Sequence, residues 1–518
     1  MNLPIQPRAR SIPLFSVILL LSAVTAVGAR SASDALCPDL DANGRIDVVD
    51  VMQVAAHLGG ADPLYDLDRN GTVAQSDVVW IALCWRQSPT ATRRVNAPYF
   101  SGNIRAPETA IFWFGALDAT RNSADVRVGY NDRELYLRLA AFDRRLWYDP
   151  TPAPDDLTAW DAATIYLDLD GNRGAAPDAS SFRLTGQLNW WETPRTPWQA
   201  AAQGDGVGWI AATFPFTLTT GWRGNAPNDA VDDSGWELRL RLPFSALGLS
   251  GPPPTGTMWG LGIALHDRDD AAGAPIADQT WPPALNPDRP ASWGQMVFGI
   301  PLYTPPPAIP GDTIIIRHQL DGAIVVDGAV GGNFNCSEGH DFWDGWGDLN
   351  YTGQGDFNIQ NQFDVADRPC FSRAYLTFPL SAIPPGRVVL SATLTLHQFG
   401  NSNPSQARPS FIQTLTVAEA WEEGTLTWNR APLASENVGG AWVDPLPDFP
   451  GWPGVPRTWD VSRATAEAYA RGAPLRLALY SADADYHSGK YFVSSDTGDW
   501  NATARPTLRV LWGTPLSR

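Results

Sequence analysis

From Val126 to Leu139 apolar and polar residues alternate: Val126, Val128 and Tyr130 come first, then Asn131, Asp132 and Arg133, then Leu135, Leu137 and Leu139. A period of two sends successive side chains to opposite faces of an extended chain, so this stretch predicts a β-hairpin with one face buried. The same patterning predicts strands over 163–169, 236–242, 258–265 and 293–298. Further on, a strand leads into a turn over 373–384 and another strand covers 389–397. Gly, Pro and Asn turns separate these runs and helical periodicity is nearly absent, so each of the two regions reads as an antiparallel β-sandwich. Helical spacing is confined to two short stretches near the N-terminus, 48–58 and 78–84.

Each of those predicted helices follows a loop with oxygen-bearing residues at alternate positions. Asp39, Asp41, Asn43, Gly44, Arg45, Asp47 and Asp50 fall at positions 1, 3, 5, 6, 7, 9 and 12 of a calcium loop. Asp66, Asp68, Asn70, Gly71, Thr72, Ala74 and Asp77 repeat that spacing. Calcium is a hard cation taking about six to eight oxygens, so carboxylates and amides at this spacing, with the backbone carbonyls of Arg45 and Thr72, can converge on one ion. Gly44 and Gly71 permit the sharp turn, and water replaces the side chain that Ala74 lacks. Ile46 and Val73 can pair the two loops back to back. Pro38 stands directly before the first loop, so the helix that enters an ordinary EF-hand is missing. Calcium is the cofactor these residues call for.

Composition narrows the partners. The 518 residues are 44% hydrophobic and 18% charged, enough to bury several cores. A net charge of −18 argues against nucleic acid or anionic membrane as the main partner and favours neutral ligands and cations. The 23 Trp exceed ordinary packing needs; they serve either as exposed rings for sugar faces or as sandwich filling. Arg8 and Arg10, an apolar run over 14–27 and small residues at 27–29 form a secretory signal peptide, residues 1–29. That run is short for a bilayer, and no later segment approaches the roughly 20 apolar residues of a spanning helix. The mature chain is therefore expected to be extracellular, secreted or held at a cell surface through a partner, with no membrane span. Four cysteines in such a chain suggest two disulfides, with three possible connectivities. Position favours Cys37 with Cys84, which bracket the calcium loops, and Cys336 with Cys370, which bracket an irregular loop. A Pro-rich linker over 301–311 marks a domain boundary.

Three resemblances follow. Loop, helix, linker, loop, helix over 37–86 resembles a type I dockerin, which implies docking to a cohesin-type partner. The segments ADVRVGYNDRELYLRLAAFD (124–143), WDAATIYLDLDGN (160–172), GWELRLRLPFSALGL (235–249) and WGLGIALHDRDD (259–270) make 95–300 resemble a family 9-type carbohydrate-binding module. In that family paired aromatic rings hold a sugar; Trp190, Trp191 and Trp198 are the candidates here, with Gln187, Asn189 and Glu192 nearby. RAYLTFPLSAIP (373–384), AWEEGTLTWNRAP (420–432) and the segments 459–481 and 491–512 make 312–515 resemble the DNRLRE family, related to family 96-type carbohydrate-binding modules. Trp421, Glu423, Thr425, Trp428 and Pro432 carry that motif, while Ser495 and Asp496 replace the family's Arg-Glu pair.

The expected molecule is mainly β: two antiparallel, jelly-roll-like sandwiches (95–300 and 312–515) behind a small α-helical, dockerin-like calcium-binding module (37–86). Its expected role is non-catalytic: binding polysaccharide through the sandwiches, docking to a cohesin-type protein, and so supporting polysaccharide catabolism. One alternative is a glycoside hydrolase or polysaccharide lyase with its site in the C-terminal sandwich, where Tyr486, His487, Lys490 and Tyr491 supply lyase residue types. The other is a structural adhesin. Glu338, His340, Asp341, Asp344 and Asp348 form a second candidate cation cluster, and Asp168, Asp170 and Asn172 resemble a fragment of a further calcium loop.

Overall fold

The computed structural model describes the chain from 48 to 516 apart from 63–64, 68–70, 84–92, 172–173, 175, 191–197, 337–338, 362–369 and 484–486; before residue 48 it describes Leu40 and Ile46. Two helices come first, α1 (Val48–Ala56) and α2 (Gln75–Leu83). Ile46, Val54, Val73 and Ile81 form a small core between them. The Gly59 N–H donates to the Val73 carbonyl and the Val73 N–H to the Gly60 carbonyl, both at 2.8 Å, which ties the second loop to the end of α1. Among the described residues this core has four buried apolar side chains with Leu40, Val51, Tyr65, Leu67, Val78 and Trp80 packed against them, and domains this small generally need a metal or disulfide as well. No described helix is long and apolar enough to cross a membrane.

The middle sandwich has two sheets. In the first the order is β1 (Arg94–Ala97), β14 (Gly294–Phe298), β12 (Met258–Asp267), β6 (Ala162–Asp168), β7 (Ser181–Gln187), β8 (Gln199–Gly204) and β9 (Trp209–Ala211), with β13 (Ile276–Trp281) also on β12. In the second it is β10 (Thr217–Arg223), β11 (Gly235–Pro243), β5 (Glu134–Phe142), β4 (Arg121–Asn131) and β2 (Tyr99–Phe100), with β3 (Ala110–Asp118) also on β4. Strands β4 and β5 are the expected hairpin. Its turn is set by the Asn131 side chain, whose Oδ1 accepts from the N–H groups of Arg133 and Glu134 at 2.9 and 3.0 Å. Strands β6, β11, β12 and β14 lie where alternation placed them. The expectation of purely antiparallel sheets needs correction, because β1 pairs in parallel with β14 and β2 with β4. The first strand of this sandwich runs beside its last in the same direction, and side-chain alternation is identical for either sense of pairing.

The C-terminal sandwich also has two sheets. The outer one is ordered β15 (Ala308–Arg317), β25 (Thr507–Pro515), β19 (Val388–Asn401), β24 (Lys490–Val493) and β17 (Asp356–Ile359), with β22 (Val455–Asp460) also on β19. The inner one is β16 (Val326–Gly331), β18 (Ser372–Phe378), β23 (Leu475–Ser481), β20 (Ser410–Thr416) and β21 (Glu436–Val443). A helix, α3 (Ser462–Ala470), interrupts the β pattern. Strand β15 begins inside the stretch expected as linker, with Ile309 opposite Thr514 and Pro310 opposite Gly513. The Cys336–Cys370 disulfide is formed, as its position suggested, across a sequence separation of 34. Cys37 and Cys84 lie outside the described residues.

The two sandwiches are joined face to face. The predicted hairpin is buried on both sides, not one: Asp125 and Arg127 are 0% exposed. The reason is that its second face meets the inner C-terminal sheet. Ile111, Trp113, Leu117, Ala140 and Phe142 of the middle sandwich cluster with Phe371, Tyr375, Trp428 and Tyr480. The Arg373 guanidinium lies over the rings of Trp113 (4.3 Å) and Trp428 (3.6 Å). Asp125 Oδ2 accepts from Asn361 Nδ2 and the Tyr480 hydroxyl, each at 2.9 Å. Arg127 Nε donates to the Ala482 carbonyl at 2.9 Å. Backbone also crosses: the Asn96 N–H donates to Asn437 Oδ1 at 2.7 Å, and Asn437 Nδ2 to the Asn96 carbonyl at 3.0 Å.

Candidate functional site

Of the proposed calcium ligands, Asp50, Asp66, Thr72 and Asp77 are described; Asp39, Asp41, Asn43, Arg45, Asp47, Asp68 and Asn70 lie outside the described residues. Asp50 and Asp77 are 0% exposed. Asp66 Oδ2 accepts from the Gly71 N–H at 2.8 Å, and Gly71 adopts φ +89°, a left-handed conformation that suits glycine. Asp77 Oδ2 accepts from the Ala74 N–H at 2.7 Å, and Asp50 Oδ1 from the Leu40 N–H at 2.7 Å. The loop's own amides thus hold its first and last carboxylates. A buried carboxylate is costly unless it is paired or coordinates a cation, so this donor set fits calcium.

Among the candidate sugar-stacking rings, Trp190 is half-buried and rests on Trp222, centroids 4.8 Å apart. Trp198 is buried, with Nε1 donating to the Asp149 carbonyl at 2.8 Å, so its ring is packed inside and offers no face to solvent. Trp191 lies outside the described residues. A different set is assembled on the outer face of the larger middle sheet: Tyr166, Trp209 and Trp293. The two indoles are parallel within 5°, centroids 6.2 Å apart, and Tyr166 touches both. Asp288 and the Asn286 carbonyl accept from their Nε1 groups at 3.1 and 2.9 Å. Their sequence signal is partial: Tyr166 and Trp293 stand at outward positions of strands predicted by alternation, whereas Trp209 lies in a short strand that alternation does not reveal.

One end of this sandwich gathers carboxylates. Ligand atoms of Asp143, Asp267 and Asp269 lie within 4.8 Å of one another. Asp161 packs beside them and accepts from the Trp147 and Arg268 N–H groups at 2.7 and 2.9 Å. Asp143 Oδ2 and Asp267 Oδ1 are buried without a hydrogen-bond partner. Burial, then the charge of Asp267, pushes the Asp143 carboxyl well above its ordinary range. Burial, then the charge of Asp269, pushes Asp267 up to about 7. Orphaned oxygens of Asp143 and Asp267, converging from two chain segments, fit a hard divalent cation. A second trio, Asp168, Asp170 and Asp178, meets the same distance condition. Burial raises Asp168 to about 7, and Ser180 Oγ donates to its Oδ1 at 2.9 Å. The expected loop fragment therefore gains Asp178, brought in from a later turn; Asn172 lies outside the described residues.

In the C-terminal sandwich, the motif residue Trp428 is buried in the seam, its Nε1 donating to Ser123 Oγ at 3.3 Å. Its neighbour Asn429 accepts from the Leu117 N–H at 2.7 Å. Trp421 lines a cavity of about 390 Å³ between the sandwiches, where Arg93 pairs with Glu419. Lys490 is fully buried, and its Nζ donates to the carbonyls of Arg408 and Ser488, each at 2.5 Å. Burial lowers it to about 8. Tyr486 is outside the described residues, as is Glu338; among those described, His340, Asp341, Asp344 and Asp348 do not bring three ligating atoms together.

Residues 344–502 match the model of carbohydrate-binding module family 96, the family expected for this sandwich. No curated protein matches the chain. Among solved structures, it is similar to a family 9 carbohydrate-binding module from Caldicellulosiruptor kristjanssonii in complex with cellotriose (17% identity, 41% of this chain and 100% of that one, TM-score 0.29). It is also similar to a module of that family and organism in complex with glucose (15%, 40% and 95%, 0.27). A third is a putative carbohydrate-binding protein from Bacteroides uniformis (12%, 40% and 100%, 0.31). Likeness at this level carries no weight for the ligand of this chain.

Proposed function

We propose that this chain is a secreted, non-catalytic protein that binds polysaccharide through its sandwiches and is docked to a cohesin-type partner by its calcium-stabilised N-terminal module. The observation that carries the carbohydrate reading is the match of 344–502 to carbohydrate-binding module family 96. The acidic balance of the whole chain supports it by disfavouring polyanionic partners. In the middle sandwich the surfaces assigned to sugar are the half-buried rings of Trp190 and Trp222 and the half-buried ring of Trp209, since aromatic rings offer apolar faces beside polar groups that read hydroxyls. The docking reading rests on the doubled ligand spacing and on the Asp66, Gly71 and Asp77 geometry. Two surfaces on one molecule would hold a polymer through effective concentration even where each alone is weak.

The test is depletion of the full-length chain from solution by a panel of insoluble polysaccharides, with soluble fragments as competitors. Saturable depletion that the matching fragment reverses is the expected result. A folded chain left in solution by every polysaccharide would overturn the reading.

A further inference from the structure

We infer that the cavity at the seam, around Arg93 and Trp421, is a composite glycan site: both sandwiches line it, and it takes a short oligosaccharide, not a long run of polymer. This rests on the reading that the chain binds carbohydrate, and it adds a place that neither sandwich could form alone.

The segment 419–433, which connects β20 to β21, supplies most of the wall. The middle sandwich closes it with Arg93, next to β1, and Pro283, after β13. These walls are held in place by the protein itself. Arg93 Nη1 donates to the carbonyls of Leu433 and Ala434 at 2.8 and 3.2 Å, and its guanidinium pairs with Glu419. Further along, the Glu423 carbonyl accepts from Asn350 Nδ2 at 2.7 Å, and Glu423 Oε1 accepts from the Gly353 N–H at 2.6 Å. Tyr375 braces the Trp421 ring in a T-shaped contact, centroids 6.0 Å apart and planes at 72°, and its hydroxyl donates to the Pro432 carbonyl at 3.0 Å. Walls fixed beforehand spare a ligand the cost of ordering them.

The chemistry of the lining selects the ligand. Trp421, Pro283, Leu426 and Leu433 make an apolar wall, and an indole ring takes the C–H face of a sugar by dispersion and apolar burial. Arg93 and Glu419 are committed to each other. Glu422 and Arg430 are not: both are exposed at the same cavity, and among the described residues neither side chain has an ion-pair or hydrogen-bond partner. A hydroxyl both donates and accepts, so a carboxylate and a guanidinium beside an aromatic ring suit the adjacent hydroxyls of a sugar, in charge-assisted bonds. Arg93 and Arg430 balance Glu419 and Glu422, so the cavity reads hydroxyls and ring faces, not net charge. Its volume of about 390 Å³ is near the lower end of small-molecule sites, about 300–1,000 Å³, which form preferentially at domain boundaries. That size limits the ligand to a short oligosaccharide.

The test titrates the full-length chain with cellotriose, xylotriose, mannotriose and trigalacturonate by calorimetry, and follows hydrogen exchange over 419–433 with and without each sugar. At least one trisaccharide is expected to bind and to slow exchange in that segment. Trp421→Ala, which removes the ring, should weaken this binding about tenfold, as loss of an anchoring aromatic does. Glu422→Gln and Arg430→Ala, both at exposed positions, should weaken it in the same direction with the melting temperature unchanged, so the test survives if Trp421→Ala fails to fold. Binding unaltered in Glu422→Gln and Arg430→Ala, or exchange over 419–433 unaffected by the bound sugar, would leave a water-filled gap between the sandwiches and overturn the site, with the carbohydrate reading intact. Depletion of the chain by a polysaccharide while no trisaccharide binds would do the same. A folded chain that binds neither trisaccharide nor polysaccharide would overturn both.

Discussion

Asp125 is held by Asn361 and Tyr480 across the seam, with Arg127 and Arg373 nearby. Burial raises its carboxyl despite those two guanidinium groups, so the balance between desolvation and pairing is close. Removing one member leaves the others buried without compensation. Asp125→Ala is therefore expected to cost about 3–5 kcal/mol in urea denaturation, and Asp125→Asn, which keeps the shape, less. The carboxylates of Asp143 and Asp267 make a pH prediction. Asp267 goes from an ordinary 3.8 to about 7 on folding, so without a cation the native state binds more protons than the unfolded state between those values. Stability from this group is complete below the lower value and is lost as pH rises through the upper one. In chelator the melting temperature should fall between about pH 5 and about pH 8, and calcium should restore it at the higher pH with little effect at the lower. A melting curve unchanged by calcium at the higher pH would remove the cation from this site.

At the scale of elements, the strands that alternation predicted lie where it put them, because period two is imposed by the pleat itself. The helices shifted slightly: α1 ends at Ala56, short of the expected residue 58, with Gly59 at φ +83° closing its C-terminus. Helix α2 starts at Gln75, so Asp77, the last loop position, already stands in its first turn. Chelation should unfold α1 and α2, since neighbouring carboxylates would repel across the small core around Ile46, Val54, Val73 and Ile81; unchanged helical circular dichroism in chelator would refute this. The disulfide can be weighed from the 34 residues it spans. Cys336→Ser with Cys370→Ser should cost about 3–4 kcal/mol by the chain-entropy account, measured by denaturation in parallel with the unmodified chain. The carboxylate cluster was not legible at this scale, because Asp143, Asp161 and Asp267 come from the ends or approaches of three different strands.

For the whole molecule, the seam makes the two sandwiches one body. A chain cut enzymatically within 301–307 should elute as a single species, held by the contacts of Trp113, Asn96 and Arg127; two separately eluting halves would refute that. Calorimetry of residues 93–516 should show one cooperative transition, not two. The sequence by itself determined the strands of strongest alternation and their inward faces, the Pro-rich break and the doubled oxygen-ligand spacing, because each is written in local period or spacing, and it favoured Cys336 with Cys370 by position alone. Only the tertiary structure decided that the second face of β4 is covered, that Trp428 belongs to the seam, and that Phe399, Trp452 and Trp500 meet from three separate segments. Alternation tells which side of a strand is apolar or polar, but what that side meets depends on how distant segments pack. For Asp125 and Arg127, polar residues buried by mutual pairing look like solvent-facing ones until the second sandwich is in place.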